Sequence, residues 1–588
     1  MARVYRICRT CHLAGFRPMA LLLGLLLLLT PLASCGTPAP LQFTALNLGI
    51  PAAALSSPVT GPLPDSTKLH VGITFKINSK TLNQMANQKI QPGQRSHVED
   101  FANKLGISDA TYQKIKDFFS PAGIAIKLNK LRTHMNIDAK ASTFAKLLQT
   151  KFVIHNYNGR TFYAPATPPK LPKFLADAID VITGLDNYST GPQHLFALSP
   201  VPFSTQGATH AKLQPTQDCS PVGNTLLPRD VAHAYGYDQL WGRGLHGENM
   251  TVNLVEIDGA YQSDIQNYLS CIQFKGNFSV VNVDGKPSQA LGESTLDIQM
   301  VAGLARSINI KVYQTDGNTN GDVWVNVNDE LQQILDDNTN NASAGSVVSV
   351  SLGAAEGEIS TDDMRAIDSS LQQLTQAEHM TVFIASGDCG AFTSRVYGNL
   401  AVSFPASDPW AVSVGGTILS IDGNQNRARE VVWSDGSNRF QCKNQWGSGG
   451  GNSEMFRQPS WQNASGVNNR YARGARQLPD ISAAAFALAV YFQGQWGSVG
   501  GTSAAAPIWA TGLALVNEGT MQQVSNFAYS PQLFYHVADN SGGLHPYYDV
   551  TQGNNLYYPA TPGWDFATGL GTPNLVDFYQ AVVAAMGR

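Results

Sequence analysis

One short motif contains a serine that could serve as a nucleophile. The run Gly500-Gly501-Thr502-Ser503 stands directly before an apolar stretch that predicts a helix. The glycine pair allows a tight turn, and the amino end of a helix offers backbone N–H groups to a developing oxyanion. An isolated serine in this setting is more often a plain helix cap. Ser503 is therefore a candidate nucleophile if a base is found elsewhere.

A pair of acidic residues provides the candidate base. Glu293 and Asp297 lie four positions apart in a segment that reads as a helix, which places their Cβ atoms about 5–6 Å apart on one face. Two carboxylates at that distance share a proton, and one pKa rises, as a general base backed by an orienting acid requires. The alternative is two solvated carboxylates on an exposed face, but the apolar neighbours Leu296 and Val301 favour a buried helix.

A third acid, Asp388, follows the apolar run Phe383-Ile384-Ala385. The carboxyl ends of strands are where α/β sheets place their ligand sites. A protonated Asp388 could donate a hydrogen bond to a tetrahedral oxyanion. The alternative is an aspartate in a glycine-rich turn.

The sequence contains no good candidate for a histidine that could act as the base. Subtilisin-like enzymes combine the Gly-Thr-Ser pattern with a His-Gly-Thr-His type motif, and the nearest approach here, His246-Gly247, is followed by Glu248-Asn249 just before a strand. The alternative to an enzyme with a carboxylate base is a conventional Ser-His-Asp subtilase. An activity optimum at neutral pH would indicate that alternative. A binding or scaffold protein that keeps the fold without catalysis is the rival from another class.

The three motifs, in this order, resemble those of the sedolisin family, also called serine-carboxyl peptidases. The resemblance implies a subtilisin-like fold in which Ser503, Glu293 and Asp297 form the catalytic triad and Asp388 serves the oxyanion hole. It implies an endopeptidase that cleaves polypeptides through an acyl-enzyme on Ser503. We expect this activity to peak below about pH 5, given ordinary carboxyl pKa values.

Other segments resemble the same family. Leu171 to Leu185 is similar to the end of the activation pro-domain, so a self-activating zymogen is implied, and Ser448-Gly449-Gly450-Gly451 is similar to the catalytic-domain signature. Ser349 to Gly353 is similar to the substrate-binding strand, where kumamolisin-like members carry a tryptophan that links the triad to a further glutamate. Leu352 cannot do this, so we expect no extended proton relay through Glu256.

The carboxyl-terminal region resembles the family's calcium site. The resemblance implies one structural Ca²⁺ bound by the carboxylates of Asp549 and Asp565. The backbone carbonyls of Val550, Thr561 and Gly563 would join them, with water completing six oxygen ligands. Thr561 replaces a usual glycine, which a carbonyl ligand tolerates.

Element patterns predict two folded units. From residue 218 to 588, short apolar strands alternate with helices, which predicts an α/β subtilisin-like domain with a parallel sheet covered on both faces. Residues 68–203 predict a smaller α+β pro-domain, in which 171–185 reads as a helix. The polar stretch 204–217 predicts a linker that carries the maturation cleavage. The Pro/Ser/Thr-rich stretch 36–67 predicts a second linker.

The amino terminus predicts export. Four arginines precede an apolar run from Met19 to Leu29, so residues 1–35 read as a signal peptide. Its end, Leu32-Ala33-Ser34-Cys35, resembles a lipobox for acylation of Cys35, with ordinary cleavage after a small residue as the alternative. We expect a secreted or extracellular protein whose only membrane attachment would be this lipid anchor.

Cysteine content suits an oxidising compartment. Beyond the signal, the chain has Cys219, Cys271, Cys389 and Cys442, an even number without metal-type spacing. We expect Cys219 to pair with Cys271, tying the start of the second domain to its early loops.

Charge is divided unequally between the predicted units. Residues 36–215 contain 18 Lys and Arg against 9 Asp and Glu, whereas residues 216–588 contain 17 against 34. A basic pro-segment is thus expected to be attracted to an acidic catalytic domain near neutral pH. The absence of a basic stripe from the catalytic half, and of a Gly-Lys-Ser/Thr loop, argues against nucleic-acid binding. A monomer is the default expectation.

Overall fold

The structure is a computed structural model that describes residues 42–86, 98–194, 197–199, 219, 225–341, 346–443, 445–524 and 530–586. The predicted signal peptide with Cys35 lies outside the described residues, as does the predicted cleavage linker 204–217. From residue 43 onward the chain forms one compact unit. No helix in these described ranges has the length and apolar character needed to cross a membrane.

The carboxyl-terminal domain is built on a mostly parallel sheet. Strands rich in Val, Ile and Leu, the composition typical of a sheet buried on both faces, form its centre. In spatial order the strands are Phe278–Asn282, Asn309–Gln314, Thr251–Glu256, Val347–Val350, Thr381–Ala385, Ala411–Ile421 and Arg427–Val432. The last strand is antiparallel, and Ile481–Ala484 pairs in parallel with Ala411–Ile421. The predicted α/β fold with a parallel sheet is confirmed.

Helices cover both faces of this sheet. Because successive side chains of a strand point in opposite directions, each strand contributes to the hydrophobic clusters on both faces. Val382 and Ile384 belong to one hydrophobic cluster, whereas Phe383 and Ala385 belong to the other. The helices are Pro228–Tyr235, Tyr237–Trp241, Gln262–Cys271, Glu293–Leu304, Val323–Asn341, Thr361–Gln376, Thr502–Val524, Gln532–Asp539 and Leu575–Met586, with a 3₁₀ turn at Glu356–Glu358. Short antiparallel pairs complete the domain: Leu352–Ala355 with Ser403–Phe404, Gly451–Arg457 with Ala475–Leu478, Leu488–Phe492 with Gln495–Gly500, and Tyr547–Tyr548 with Thr572–Pro573.

The amino-terminal domain has an α+β fold with its own core. A four-stranded antiparallel sheet has the order Ile126–Leu128, His134–Lys140, Lys68–Phe75, Ile179–Thr183. A second sheet joins Val59–Pro62, Phe152–Tyr157 and Arg160–Pro165, and Phe43–Ala45 pairs with Lys170–Pro172. The helices are Ala52–Leu55, Ser79–Ala86, Val98–Leu105, Asp109–Phe119, Ala141–Leu147 and Lys173–Ala178, with a 3₁₀ turn at Ser120–Ala122.

Two predictions for this domain differ from the structure. The segment 171–185 is not one helix, because its β-branched end forms the strand Ile179–Thr183, which pairs with Lys68–Phe75. The segment 36–67 is not simply a linker, because its described part contributes strands Phe43–Ala45 and Val59–Pro62 to the two smaller sheets. These strands extend the amino-terminal domain beyond its predicted start at residue 68.

The amino-terminal domain packs on one face of the larger domain. Leu82 and Met85 belong to the same apolar cluster as Ile367 and Leu371, which lie on helix Thr361–Gln376. Two disulfides, Cys219–Cys271 and Cys389–Cys442, are formed, so the expected first pair is present.

Candidate active site

The helix that carries the two acids, Glu293–Leu304, is almost entirely buried. Asp258 fixes its amino end, since its carboxylate accepts hydrogen bonds from the N–H groups of Leu291 at 2.7 Å, Gly292 at 3.0 Å and Ser294 at 3.1 Å. Gly292 has φ +115°, a conformation that favours glycine. We call this element the dyad helix.

Burial sets the protonation of the dyad. Glu293 and Asp297 are 1% and 0% exposed, so the predicted buried pair is present. Desolvation raises the pKa of Glu293, and the Asp297 carboxyl raises it further, while a hydrogen bond with the Ser503 side chain lowers it. Desolvation also raises the pKa of Asp297, against the lowering effect of a hydrogen bond from Ser351. The pair therefore holds a proton more tightly than isolated acids do.

Ser503 is the second residue of helix Thr502–Val524, which we call the nucleophile helix. The strand Gln495–Gly500 leads into it, and Gly501 N–H donates to the Ala485 carbonyl at 2.8 Å. Ser503 is fully buried, and its hydroxyl meets the Glu293 carboxyl. A nucleophile and a base thus lie within hydrogen-bond reach of each other.

Asp388 lies beside the start of the nucleophile helix. Its Oδ1 accepts from the Thr502 N–H at 2.8 Å and from the Thr502 hydroxyl at 2.7 Å. Its Oδ2 is buried and has no hydrogen-bond partner in the described part of the chain. Desolvation raises the pKa of Asp388 to about 8, so the carboxyl is protonated at acid pH. The structure thus brings all four predicted catalytic residues together.

The sequence did not single out Ser351 as a site residue. It follows strand Val347–Val350, and its Oγ lies 2.6 Å from Asp297 Oδ2 and 3.1 Å from the Ser503 carbonyl oxygen. Ser351 therefore orients the second acid of the dyad. The only sequence signal for Ser351 is its position in residues 349–353, which are similar to the sedolisin family's substrate-binding strand.

His246 lies far from the candidate nucleophile. The N–H of its neighbour Gly247 donates to the carboxylate of Glu518 at 2.7 Å. Glu518 is 15 residues beyond Ser503 on the nucleophile helix, which corresponds to about 22 Å at 1.5 Å per residue. His246 cannot serve Ser503 as a base from that position.

Two short stretches at the end of the amino-terminal region, residues 193–194 and 197–199, pair with the two walls of the cleft beside Ser503. Gln193 and His194 pair antiparallel with Gly353 and Leu352, directly after Ser351. Residues 197–199 pair antiparallel with 498–500, directly before the nucleophile helix. The chain is thus held on both sides of the candidate site by backbone pairing, as an extended peptide would be.

The predicted calcium ligands lie in one loop. Asp549 Oδ2 accepts from the Gly563 N–H at 2.8 Å, and Asp565 Oδ2 accepts from the Thr561 N–H at 2.9 Å. Burial raises the pKa of both carboxyls, that of Asp565 to about 6. Neither forms an ion pair with a described side chain. Carboxylates desolvated in this way fit a bound hard cation, with the Val550 carbonyl in the same loop.

Comparison with known proteins agrees with this geometry. Residues 57–188 match the family model described as "Pro-kumamolisin, activation domain", and residues 285–543 match the subtilase family. Sedolisin from Pseudomonas sp. (strain 101) is 26% identical over 535 residues, 86% of this chain and 85% of the relative. The chain is thus similar to the sedolisin-type serine-carboxyl peptidases, with an activation domain of the pro-kumamolisin kind.

Two further comparisons support this assignment. Kumamolisin from Bacillus sp. (strain MN-32) is 29% identical to this sedolisin-like chain over 443 residues, 71% of the chain and 73% of the relative. The solved structure of Pseudomonas sedolisin, complexed with two molecules of pseudo-iodotyrostatin, superposes with a TM-score of 0.54 at 28% identity, covering 62% of this chain and all of the other. This sedolisin-like chain is a serine-type peptidase with an activation pro-domain in the same chain, and polypeptides are its substrate class.

Proposed function

We propose that this chain is an exported, acid-acting endopeptidase, made as a self-activating zymogen, in which Ser503 is the nucleophile. The observation that carries this proposal is the convergence of Ser503, Glu293, Asp297 and Asp388 at the carboxyl ends of the sheet strands. Each of these groups is buried, and each acid has a raised pKa. Groups perturbed in this way cluster at functional sites.

Acylation follows from the contacts of these side chains. Ser503 Oγ attacks the scissile carbonyl carbon while its proton passes to the Glu293 carboxylate. The carbonyl oxygen becomes an oxyanion, to which the protonated Asp388 Oδ2 donates a hydrogen bond. Asp297, held by Ser351, shares the remaining dyad proton and keeps Glu293 oriented.

The intermediate then collapses and the enzyme is regenerated. The C–N bond breaks as Glu293 gives its proton to the leaving amine, leaving an ester on Ser503. A water molecule attacks that ester while Glu293 accepts a water proton, and the proton returns to Ser503 Oγ as the acid product leaves. Substrate would pair with Leu352–Ala355 and Gln495–Gly500, the two strands that pair with residues 193–194 and 197–199.

The pairing of residues 193–194 and 197–199 with the cleft walls supports an intramolecular first cleavage. His194 pairs one residue beyond Ser351, and Ala197 pairs three residues before Ser503. The described pairing thus ends at His194 on one wall of the cleft and resumes at Ala197 on the other, and we place the first cleavage between these two residues. Cleavage in the predicted linker 204–217 would be a second trimming step.

Calcium and export complete the proposal. One Ca²⁺ bound by Asp549 and Asp565, with the carbonyls of Val550, Thr561 and Gly563, would stabilise the carboxyl-terminal loop. The signal-like residues 1–35 support secretion. The alternative is that the exported protein is attached to the membrane by a lipid on Cys35. A secreted or cell-surface monomer is the proposed working form.

A single incubation tests this function. The purified full-length protein and its Ser503→Ala variant are held at pH 4 and at pH 7, and the products are sequenced from their amino termini. We expect only the unsubstituted protein to shorten, only at pH 4, with a first product that begins between residues 195 and 197. Internal fragments from an added denatured protein would show endopeptidase action. Equal processing of the Ser503→Ala variant would contradict the proposal.

A further inference from the structure

A group of ionisable side chains lies where the pro-domain meets the catalytic domain, outside the active site. His70 comes from the pro-domain strand Lys68–Phe75, and Asp329 from the catalytic-domain helix Val323–Asn341. Asp284 follows strand Phe278–Asn282. One ligand atom of each residue lies within 4.8 Å of the others. We call these three residues the interface cluster.

The imidazole of His70 is oriented as in many metal sites. Its Nδ1 lies 2.8 Å from Asp138 Oδ1, while its Nε2 lies 2.8 Å from Asp329 Oδ2 and 3.6 Å from Asp284 Oδ2. A carboxylate that accepts from one ring nitrogen fixes the tautomer and leaves the other nitrogen to a metal. Ligand atoms on one tetrahedral Zn²⁺ lie about 3.3 Å apart, within the range of these distances.

Asp329 is held by a second set of partners. Its Oδ1 lies 2.9 Å from His134 Nε2, and its Oδ2 accepts from the Asn136 side-chain amide. The Asp329 side chain is only 2% exposed, whereas the His70 and Asp284 side chains are 22% and 16% exposed. The buried Asp329 carboxylate is thus held in place by its partners, whereas His70 and Asp284 are more accessible to solvent.

A further buried acid, without a hydrogen-bond partner in the described part of the chain, lies beside the cluster in sequence. Glu330 is fully buried, and neither of its carboxylate oxygens has a hydrogen-bond partner among the described residues. Glu330 directly follows the cluster residue Asp329 on helix Val323–Asn341. Buried carboxylates normally pair with a cation or coordinate a metal, and the cluster gathers several of them around one imidazole.

We propose that the interface cluster binds one divalent cation of the zinc type, with His70, Asp284 and Asp329 as ligands. Mixed imidazole and carboxylate ligands suit Zn²⁺. Since His70 belongs to the pro-domain and the acids to the catalytic domain, the ion would join the two domains only in the zymogen. Release of the pro-domain would dismantle the site.

The test uses the full-length Ser503→Ala protein, which stays uncut. After removal of metals and saturation with Ca²⁺, Zn²⁺ is titrated at pH 7.5 by calorimetry, and melting is followed with and without Zn²⁺. We expect one Zn²⁺ per chain, a higher melting temperature with Zn²⁺, and loss of both on adding His70→Ala. Asp284→Asn, which suits the left-handed backbone there (φ +55°), should weaken binding without unfolding the protein.

The exposed His545 provides the matched control, since His545→Ala removes an imidazole outside the cluster and should leave binding unchanged. Absence of Zn²⁺ binding by the Ser503→Ala protein would overturn the proposal. So would unchanged binding in both His70→Ala and Asp284→Asn. In either case His70 would act solely as a protonated ion-pair partner of Asp329.

Discussion

Asp388 Oδ1 accepts two hydrogen bonds from Thr502, from its N–H at 2.8 Å and from its hydroxyl at 2.7 Å. Thr502 is the residue before Ser503, so this contact ties the acid to the nucleophile's own backbone. It also leaves Asp388 Oδ2 without a partner among the described residues. A carboxyl whose pKa is raised to about 8 carries its proton there at acid pH.

Two substitutions of Asp388 should show whether catalysis needs its hydrogen bond to the oxyanion, its titratable proton, or both. Asp388→Ala removes the donor and should lower kcat by about 10² to 10³-fold. Asp388→Asn can accept from Thr502 and donate from its amide, so it should keep more activity. Its activity should also fall less as pH rises toward 8, since the amide does not ionise. If pH–rate profiles show Asn as inactive as Ala, the oxyanion role is wrong.

Ser351 should act as a positioning residue. Its hydrogen bond lowers the pKa of Asp297, so Ser351→Ala should raise that pKa and move the acid limb of the pH–rate profile to higher pH. Loss of a hydrogen bond to a charged group should cost about 10 to 100-fold in kcat. Ser351→Thr should restore the limb. Ser349→Ala on the same strand is the control, and an identical limb in all variants would contradict the role.

Stability should rise on acidification across the carboxyl range. Burial raises the pKa of Asp186 and of Asp388 to about 8 each, above an unfolded value near 3.9. Between about pH 4 and 8 the folded state therefore binds more protons, so the free energy of unfolding falls as pH rises. Melting of the Ser503→Ala protein should show this trend.

Isosteric amides should weaken that pH dependence. Asp186→Asn and Asp388→Asn are each made in the Ser503→Ala protein. Each removes a carboxyl group whose pKa differs between the folded and the unfolded state. Each should flatten the dependence of the melting temperature on pH. Asp65→Asn, at an exposed position, should not. Parallel pH curves for all four proteins would show that these buried acids do not control stability.

Calcium should stabilise the folded chain, because the ion binds the native loop and hardly the unfolded chain. Chelation should lower the melting temperature of the Ser503→Ala protein. Asp565→Ala should remove the response to chelator, and Asp549→Asn should weaken it. Asp422→Asn, on an exposed turn, is the control. A full calcium response in Asp565→Ala would refute the site.

Much of the catalytic site could be predicted because its residues lie in short local motifs. The spacing of Glu293 and Asp297 is a property of one helix, and Asp388 follows one strand. Ser351 could not be assigned in this way. Its contact with Asp297 joins residues 54 positions apart, and only the packing of the strand against the dyad helix creates it.

The pro-domain shows where local patterns fail. The pattern of residues 171–185 predicts a helix, yet Ile179–Thr183 is a strand, because pairing with Lys68–Phe75 outweighs local propensity. The interface cluster has no sequence motif at all. His70, Asp284 and Asp329 are brought together only when the two domains dock.

The acyl-enzyme on Ser503 is the central claim, and mass spectrometry of acid-quenched enzyme tests it most directly. The mature enzyme is mixed at pH 4 with excess peptide ester, quenched, digested and sequenced. We expect a mass increase equal to the acyl part of the substrate, confined to the peptide that contains Ser503. An acyl group on another residue, or steady hydrolysis with no acylated Ser503 at any quench time, would contradict the account.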